Sequence, residues 1–248
     1  VAAIRAAQLG FKVGHVERDK LGGVCLNWGC IPSKALLKSA ELYNSFKKAD
    51  EFGISAKEVK FDFSKIIKRS RDIADRQSKG VEYLMKKNNI QVISGAAKLT
   101  GKNSIEISSG GKVVETVKTK YTILATGGRP RSIPGVTIDG KKVISSSEAM
   151  VLPEQPKSMV IIGGGAIGIE FAYFYNALGT KVTVVEMMPS ILPLEDKEIT
   201  KILDSSLKKS GIEILTNAKV EGLNVGKEVI VSVATKEGKV ELKGDVVL

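Results

Sequence analysis

The chain has 248 residues, 43% of them hydrophobic, enough for one large or two ordinary domains with a sizeable core; two is the better match. Its formal net charge is +11, but the basic residues are dispersed as singles and pairs such as Lys47-Lys48, Lys86-Lys87 and Lys208-Lys209, and only 5% of residues are aromatic, which argues against a nucleic-acid stacking platform. No apolar run reaches the roughly eighteen residues of a membrane span, the first residues show no basic region followed by an apolar stretch and cleavage site, and two cysteines make no extracellular disulfide framework, so a cytoplasmic protein is expected.

Residues 1–9 carry an Ala-rich helical pattern closed by Gly10, and an apolar strand over 12–17 ends at Glu17. This is the second half of a dinucleotide-binding unit of strand, glycine turn, helix, strand and acid, in which Glu17 would bond a ribose hydroxyl. The plain alternative is a solvent-facing acid at a strand end. The chain starts inside this unit and stops in an apolar strand at 245–248, so it is read as a fragment of a longer protein. The only two cysteines follow, five positions apart, in Gly22-Gly23-Val24-Cys25-Leu26-Asn27-Trp28-Gly29-Cys30-Ile31-Pro32-Ser33-Lys34. Such spacing lets two thiols meet across about one turn at a helix start, where backbone N–H groups favour a thiolate. Two nearby cysteines are also compatible with buried small apolar residues or a static bridge.

The whole segment resembles the redox-disulfide signature of the flavin-dependent disulfide reductases. The run C-L-N-W-G-C-I-P-S-K-A-L-L is most similar to the lipoamide-oxidising branch, whereas glutathione and mercuric reductases carry C-V-N-V-G-C-V-P. The resemblance implies a Cys25–Cys30 redox disulfide, with Cys25 as the outer thiol that exchanges with substrate and Cys30 facing the flavin. It also implies that Gly22, Gly23 and Lys34 lie at the FAD site, with Lys34 acting on the flavin from nearby.

Helical spacing of apolar residues predicts packing helices over 35–48 and 63–87. Strand-like stretches cover 91–97, 104–108 and 112–118, the last two joined as a hairpin by Gly110-Gly111. Residues 121–126 predict a buried strand running into a glycine turn, and Thr126-Gly127-Gly128 resembles the family's flavin-site A-T-G motif. The resemblance also places Ala97 as a backbone contact to FAD. Prolines and serines between 129 and 157 suggest an inter-domain connection, with a boundary near 150.

Beyond it, the short strand at 159–162 runs directly into Gly163-Gly164-Gly165-Ala166-Ile167-Gly168, a helix follows to Leu178, and a second strand ends at Glu186. This is the full nucleotide fingerprint in context: Gly163 for the turn, Gly165 for close approach of pyrophosphate, Gly168 for helix against strand, Glu186 for the ribose. A carboxylate there repels a 2′-phosphate, and no Arg occurs from 187 onward, so NAD is favoured over NADP. By resemblance, Glu170 pairs with Lys34 and Val220 contacts NAD. The residues alone favour reading Glu170 as a first-turn acid complementing the helix dipole.

The expected fold is therefore α/β, with two Rossmann-like dinucleotide-binding domains, both incomplete: residues 1–150 for FAD and 151–248 for NAD. The resemblance implies oxidation of free or protein-bound dihydrolipoamide to lipoamide, beside a 2-oxo acid dehydrogenase or glycine cleavage complex, by a protein that is a homodimer at full length. It further implies a His–Glu base pair on a C-terminal interface domain that this sequence does not contain, so the chain as written is not expected to complete turnover. His15, the sole histidine, lies on a strand, matches no base of that family and is given no catalytic role. No metal site is expected. The alternatives are a sister enzyme such as a mercuric or glutathione reductase, and a non-catalytic nucleotide-binding module with a static bridge.

Overall fold

The computed structural model describes residues 1–131 and 133–248. Along the chain run α1 (Ala2–Gln8), β1 (Gly14–Glu17), α2 (Gly23–Trp28), α3 (Cys30–Lys47) and α4 (Phe63–Lys87), then β2 (Gln91–Ser94), β3 (Ala96–Gly101), β4 (Ser104–Ser109) and β5 (Lys112–Lys118). There follow α5 (Ser146–Ala149), β6 (Ser158–Ile162), α6 (Ala166–Ala177), β7 (Lys181–Val185), α7 (Lys197–Lys209), β8 (Glu213–Leu215), β9 (Lys219–Val225), β10 (Val229–Thr235), β11 (Gly238–Gly244) and β12 (Val246–Val247). Gly10 follows α1 with φ 87°, and Gly179 follows α6 with φ 99°, the left-handed geometry that lets a chain leave a helix without a Cβ clash.

The chain divides into two compact units that interleave in sequence. The first holds Val1–Asn27 and Asp72–Gly128. In it β1 pairs in parallel with β2, Gly14 against Gln91 through Glu17 against Ser94, and β3, β4 and β5 form an antiparallel meander. The tight β4–β5 connection turns on Gly110 and Gly111, both at positive φ.

The second unit holds Trp28–Arg71 and Arg129–Leu248. Its parallel sheet has the order β12-β6-β7-β8, the 4-1-2-3 arrangement of one half of a doubly wound nucleotide-binding fold. The strands β6 and β7 are buried almost throughout, as a parallel sheet covered on both faces requires. Between β8 and β12 the chain makes the antiparallel meander β9-β10-β11, whose inner valines Val229, Val231 and Val233 are fully buried. The main core joins α3, the start of α4 and α6 through Leu36, Ala40, Ile67, Phe171, Phe174 and Tyr175.

Two expectations change. Residues 121–126 are apolar but form no strand: Tyr121, Ile123 and Leu124 are 79%, 72% and 69% exposed. A strand needs a neighbouring ladder to satisfy its backbone, and neither β1 nor β2 bonds to this segment. The Pro- and Ser-rich stretch expected as a plain connection is in part core. Val143, Ile144, Ala149 and Met150 are buried, and Val143 bridges to Val247 beside β12.

Candidate functional site

Cys25 and Cys30 are joined as a disulfide, leaving no free cysteine. Cys25 sits in α2, Gly29 interrupts the helix, and Cys30 is the first residue of α3. Pro32 is tolerated two residues later because the first turn of a helix has no backbone acceptor for its missing N–H. Behind this start the first turns of α4 hold α3 in place: Ser70 Oγ donates to the Pro32 carbonyl at 2.9 Å and Arg69 Nη1 to that of Ala35 at 2.9 Å. The Arg71 guanidinium lies 4.8 Å from the centre of the Trp28 ring, a cation–π contact at the junction of the two cysteine-bearing helices.

Lys34 lies one turn past Cys30, on the same helix face, and its Nζ pairs with Glu170 Oε1. Glu170 is likewise one turn into α6. It therefore stands outside the first turn of α6, which contains no acid, and the dipole-complementing alternative does not describe it. Further contacts keep the two helices in step: Asn44 Nδ2 to Tyr173 Oη at 3.5 Å, and Lys47 Nζ to the Ala177 carbonyl at 2.8 Å. The helices α3 and α6 thus run side by side in the same direction. The helix that begins at the disulfide and the helix that begins at the glycine turn have their N-termini at the same end.

At that end of α6 each glycine has a distinct physical task. Gly163 has φ 110°, a conformation costly for other residues. A Cβ on Gly168 would stand 2.1 Å from the Gly163 carbonyl oxygen, so only glycine lets the helix close on the strand turn. A Cβ on Gly165 would meet nothing within 4 Å, and no side chain caps the helix there. The space beside Gly165 at the N-terminus of α6 is therefore open, a geometry that suits a pyrophosphate. Glu186, 8% exposed, accepts from Gly164 N–H at 2.6 Å through Oε2 and from Met188 N–H at 2.7 Å through Oε1. Each oxygen keeps a lone pair for a further donor. Val220, in β9, is half-buried two residues past Ala218, whose N–H donates to the Glu186 carbonyl at 3.0 Å.

The remaining predicted residues lie in the first unit. Glu17 ends β1, with its Oε1 accepting from Asp19 N–H at 3.0 Å and its carbonyl from Gly95 N–H at 2.9 Å; Ala97 follows two residues later in β3, exposed. Gly22 and Gly23 take φ 112° and 73°. Gly127, at φ 76°, comes within 3.9 Å of Val24 measured from an ideal Cβ, so the two glycine segments meet, and Gly23 and Gly128 both face open space. Thr126 is exposed in the unpaired stretch. His15 lies on β1 opposite Val92, away from the cysteines in sequence. Among the described residues no group of three or more His, Cys, Asp or Glu side chains could hold a metal, and no helix is long and apolar enough to cross a membrane.

Asn27, inside the cysteine segment, carries a task that the spacing of the two cysteines does not reveal. It is buried, and its amide donates to three carbonyls of the preceding loop. An Asn inside a one-and-a-half-turn helix, just after two glycines, was the available signal, because such side chains seek backbone partners.

A family model described as pyridine nucleotide-disulphide oxidoreductase matches residues 1–248. The chain is 46% identical to a dihydrolipoyl dehydrogenase of Chlorobaculum tepidum over 96% of its own length and 50% of the relative. It is 47% identical to that of Bacillus subtilis over 89% of its length and 48% of the relative. The crystal structure of LpdA from Mycobacterium tuberculosis shares the fold with a TM-score of 0.89 at 24% identity, over 99% of this chain and 54% of that one. The chain spans about half the length of the curated relatives it matches.

Proposed function

Because the chain belongs to the pyridine nucleotide-disulphide oxidoreductase family, we propose that the protein oxidises dihydrolipoamide to lipoamide, with NAD as electron acceptor and the Cys25–Cys30 bridge as the group that reacts with substrate. The observation that carries this reading is the Lys34–Glu170 pair, which fastens the helix starting at the oxidised Cys30 beside the helix starting at the open glycine turn.

In the first half-reaction the cysteine S–S bond breaks and the dithiolane S–S bond of lipoamide forms. The substrate's electron pair passes to the two cysteines, one of its thiol protons ends on Cys25 and the other goes to solvent. Cys25 takes the substrate sulfur in a mixed disulfide, and Cys30, at the N-terminus of α3, leaves as the thiolate that the helix end stabilises. When bound, FAD would relay the electron pair from the dithiol to the nicotinamide. Residues 1–150 would hold it, through Glu17, Gly22, Gly23, Ala97 and Thr126-Gly127-Gly128, with Lys34 nearby. Residues 151–248 would hold NAD through Gly163, Gly165, Gly168, Val220 and Glu186, whose carboxylate favours a ribose with free hydroxyls. The printed name of the relatives, dihydrolipoyl dehydrogenase, supports a lipoamide substrate; a homodimer at full length, work beside a 2-oxo acid dehydrogenase or glycine cleavage complex and a cytoplasmic location are parts of the same proposal.

The test mixes oxidised, FAD-loaded full-length protein, with the C-terminal interface domain that carries the His–Glu pair, with an equal amount of dihydrolipoamide. One lipoamide per chain and two newly reactive cysteines are expected, and added NAD closes them again as NADH appears. A bridge that dihydrolipoamide leaves shut, or one that NAD cannot restore, refutes the proposal.

A further inference from the structure

Asn27 is 3% exposed and uses only half of its amide. Its Nδ2 donates to the carbonyls of Leu21 and Gly23 at 3.1 Å each and to that of Lys20 at 3.4 Å, while its Oδ1 is buried without a hydrogen-bond partner. The loop it grips is held from α4 as well: Ser78 Oγ donates to the Leu21 carbonyl at 2.8 Å, and Asp75 pairs with Lys20 at 2.6 Å. Gly22 and Gly23, both at positive φ, let the loop turn its carbonyls toward that amide. Cys25 lies midway between Gly23 and Asn27, so its backbone is bracketed by the amide on one side and an acceptor of that amide on the other.

We infer that Asn27 is a positioning residue that sets the redox balance of the Cys25–Cys30 couple. An anchored Cys25 meets its partner at high effective concentration. A released loop samples other positions, and closing the bridge must then restrain it. The anchored loop favours the disulfide, and loosening it favours the dithiol. This rests on the reading of Cys25–Cys30 as a reversible couple. It assigns Asn27 no contact with substrate or cofactor.

The experiment equilibrates the full chain with glutathione buffers and counts free cysteines by mass-tagged alkylation. In that exchange two glutathiones are oxidised to one glutathione disulfide as the protein bridge opens to two thiols. In Asn27→Ala, half of the chains should be reduced at a ratio of squared thiol to disulfide about tenfold lower than in the wild type, equivalent to about 30 mV toward easier reduction. Asn27→Asp should shift it at least as far despite its shape, because a carboxylate cannot donate and would face three carbonyl oxygens. Ser78→Ala, which removes one of the two donors to the Leu21 carbonyl without touching α2, should move the midpoint the same way by about threefold and decides the matter if the Asn27 variants do not fold. Variants that lower the unfolding temperature but titrate with the wild-type midpoint would show a purely structural residue and overturn the inference. A wild-type bridge that no glutathione ratio opens would sink the redox reading as well, which separates the two failures.

Discussion

A single Cβ atom separates two kinds of glycine at the start of α6. At Gly168 an added methyl collides with the Gly163 carbonyl oxygen at 2.1 Å, a backbone atom that cannot swing aside, so strand turn and helix must part. At Gly165 the backbone is extended, φ −75° and ψ 178°, and the added methyl points into empty space. Gly168→Ala should therefore cost about 1–3 kcal/mol of unfolding free energy in urea titrations, in the range of overpacked cores. Gly165→Ala should stay within about 0.5 kcal/mol of the wild type. Nucleotide affinity separates them the other way: Gly165→Ala keeps its stability yet binds NADH at least about tenfold more weakly by fluorescence titration, since the methyl occupies the approach to the first-turn N–H groups. Equal stability losses at both positions would contradict the packing reading. Glu186 shows what was hidden from the sequence here. Its position at the end of β7 was legible, but not that both carboxylate oxygens already support the Gly164 and Met188 N–H groups.

The short helix α5 shows how an element of one turn survives. Ser145 Oγ accepts from Ser147 N–H, while Glu148 Oε2 accepts from the Ser145 N–H at 2.8 Å, a reciprocal capping box. It anchors a core contact, because Tyr175 Oη donates to the Ala149 carbonyl at 2.6 Å. Burial pushes the Glu148 carboxyl up, but hydrogen bonds from the Ser145 hydroxyl and backbone N–H more than offset this and leave it below its ordinary 4.5. A carboxylate depressed on folding adds stability above its unfolded value and loses it as pH falls through the folded one. The stability gap between the wild type and Glu148→Gln, measured by urea unfolding, should thus be full at neutral pH and close below pH 4.5. Ser145→Ala, which removes both the cap acceptor and the hydroxyl bond to the Glu148 carboxylate, should cost about 1 kcal/mol at neutral pH and less below pH 4.5. A gap that widens on acidification would reverse the assignment. This turn was not predicted: a serine-rich segment between prolines looks like a connection, and the pairing of Ser145 with Glu148 three residues on was the overlooked signal. Longer helices such as α3 and α4 carried enough apolar repeats to be placed within a few residues.

At the scale of the chain, sequence pattern reports what a segment could bury, not whether a partner is there to cover it. The strands β6, β7, β10 and β12 combine β-branched composition with neighbours on the sheet, and their burial follows. The run 121–126 has the same composition and no ladder, so its side chains stay in water. That difference predicts where the protein opens first. Cleavage needs several residues of extended backbone free of hydrogen-bonded structure, and open segments are cut without unfolding the rest. Phe52, also exposed, is a poorer target, because the turn around it is tied by Gly53 N–H to the Asp50 carbonyl and Ile54 N–H to the Ala49 carbonyl. Dilute chymotrypsin should therefore nick first after Tyr121 or Leu124, giving two pieces that sum to the intact mass, while the β12-β6-β7-β8 sheet and α6 remain uncut. A charged residue at both sites, as in Tyr121→Lys with Leu124→Lys, should slow that first cut by about tenfold or more through loss of the residues chymotrypsin selects, with little change in urea stability because neither side chain is buried. A first cut within α6 or between β6 and β7 would mean that the nucleotide-type sheet, not the exposed run, is the weakest part of the chain.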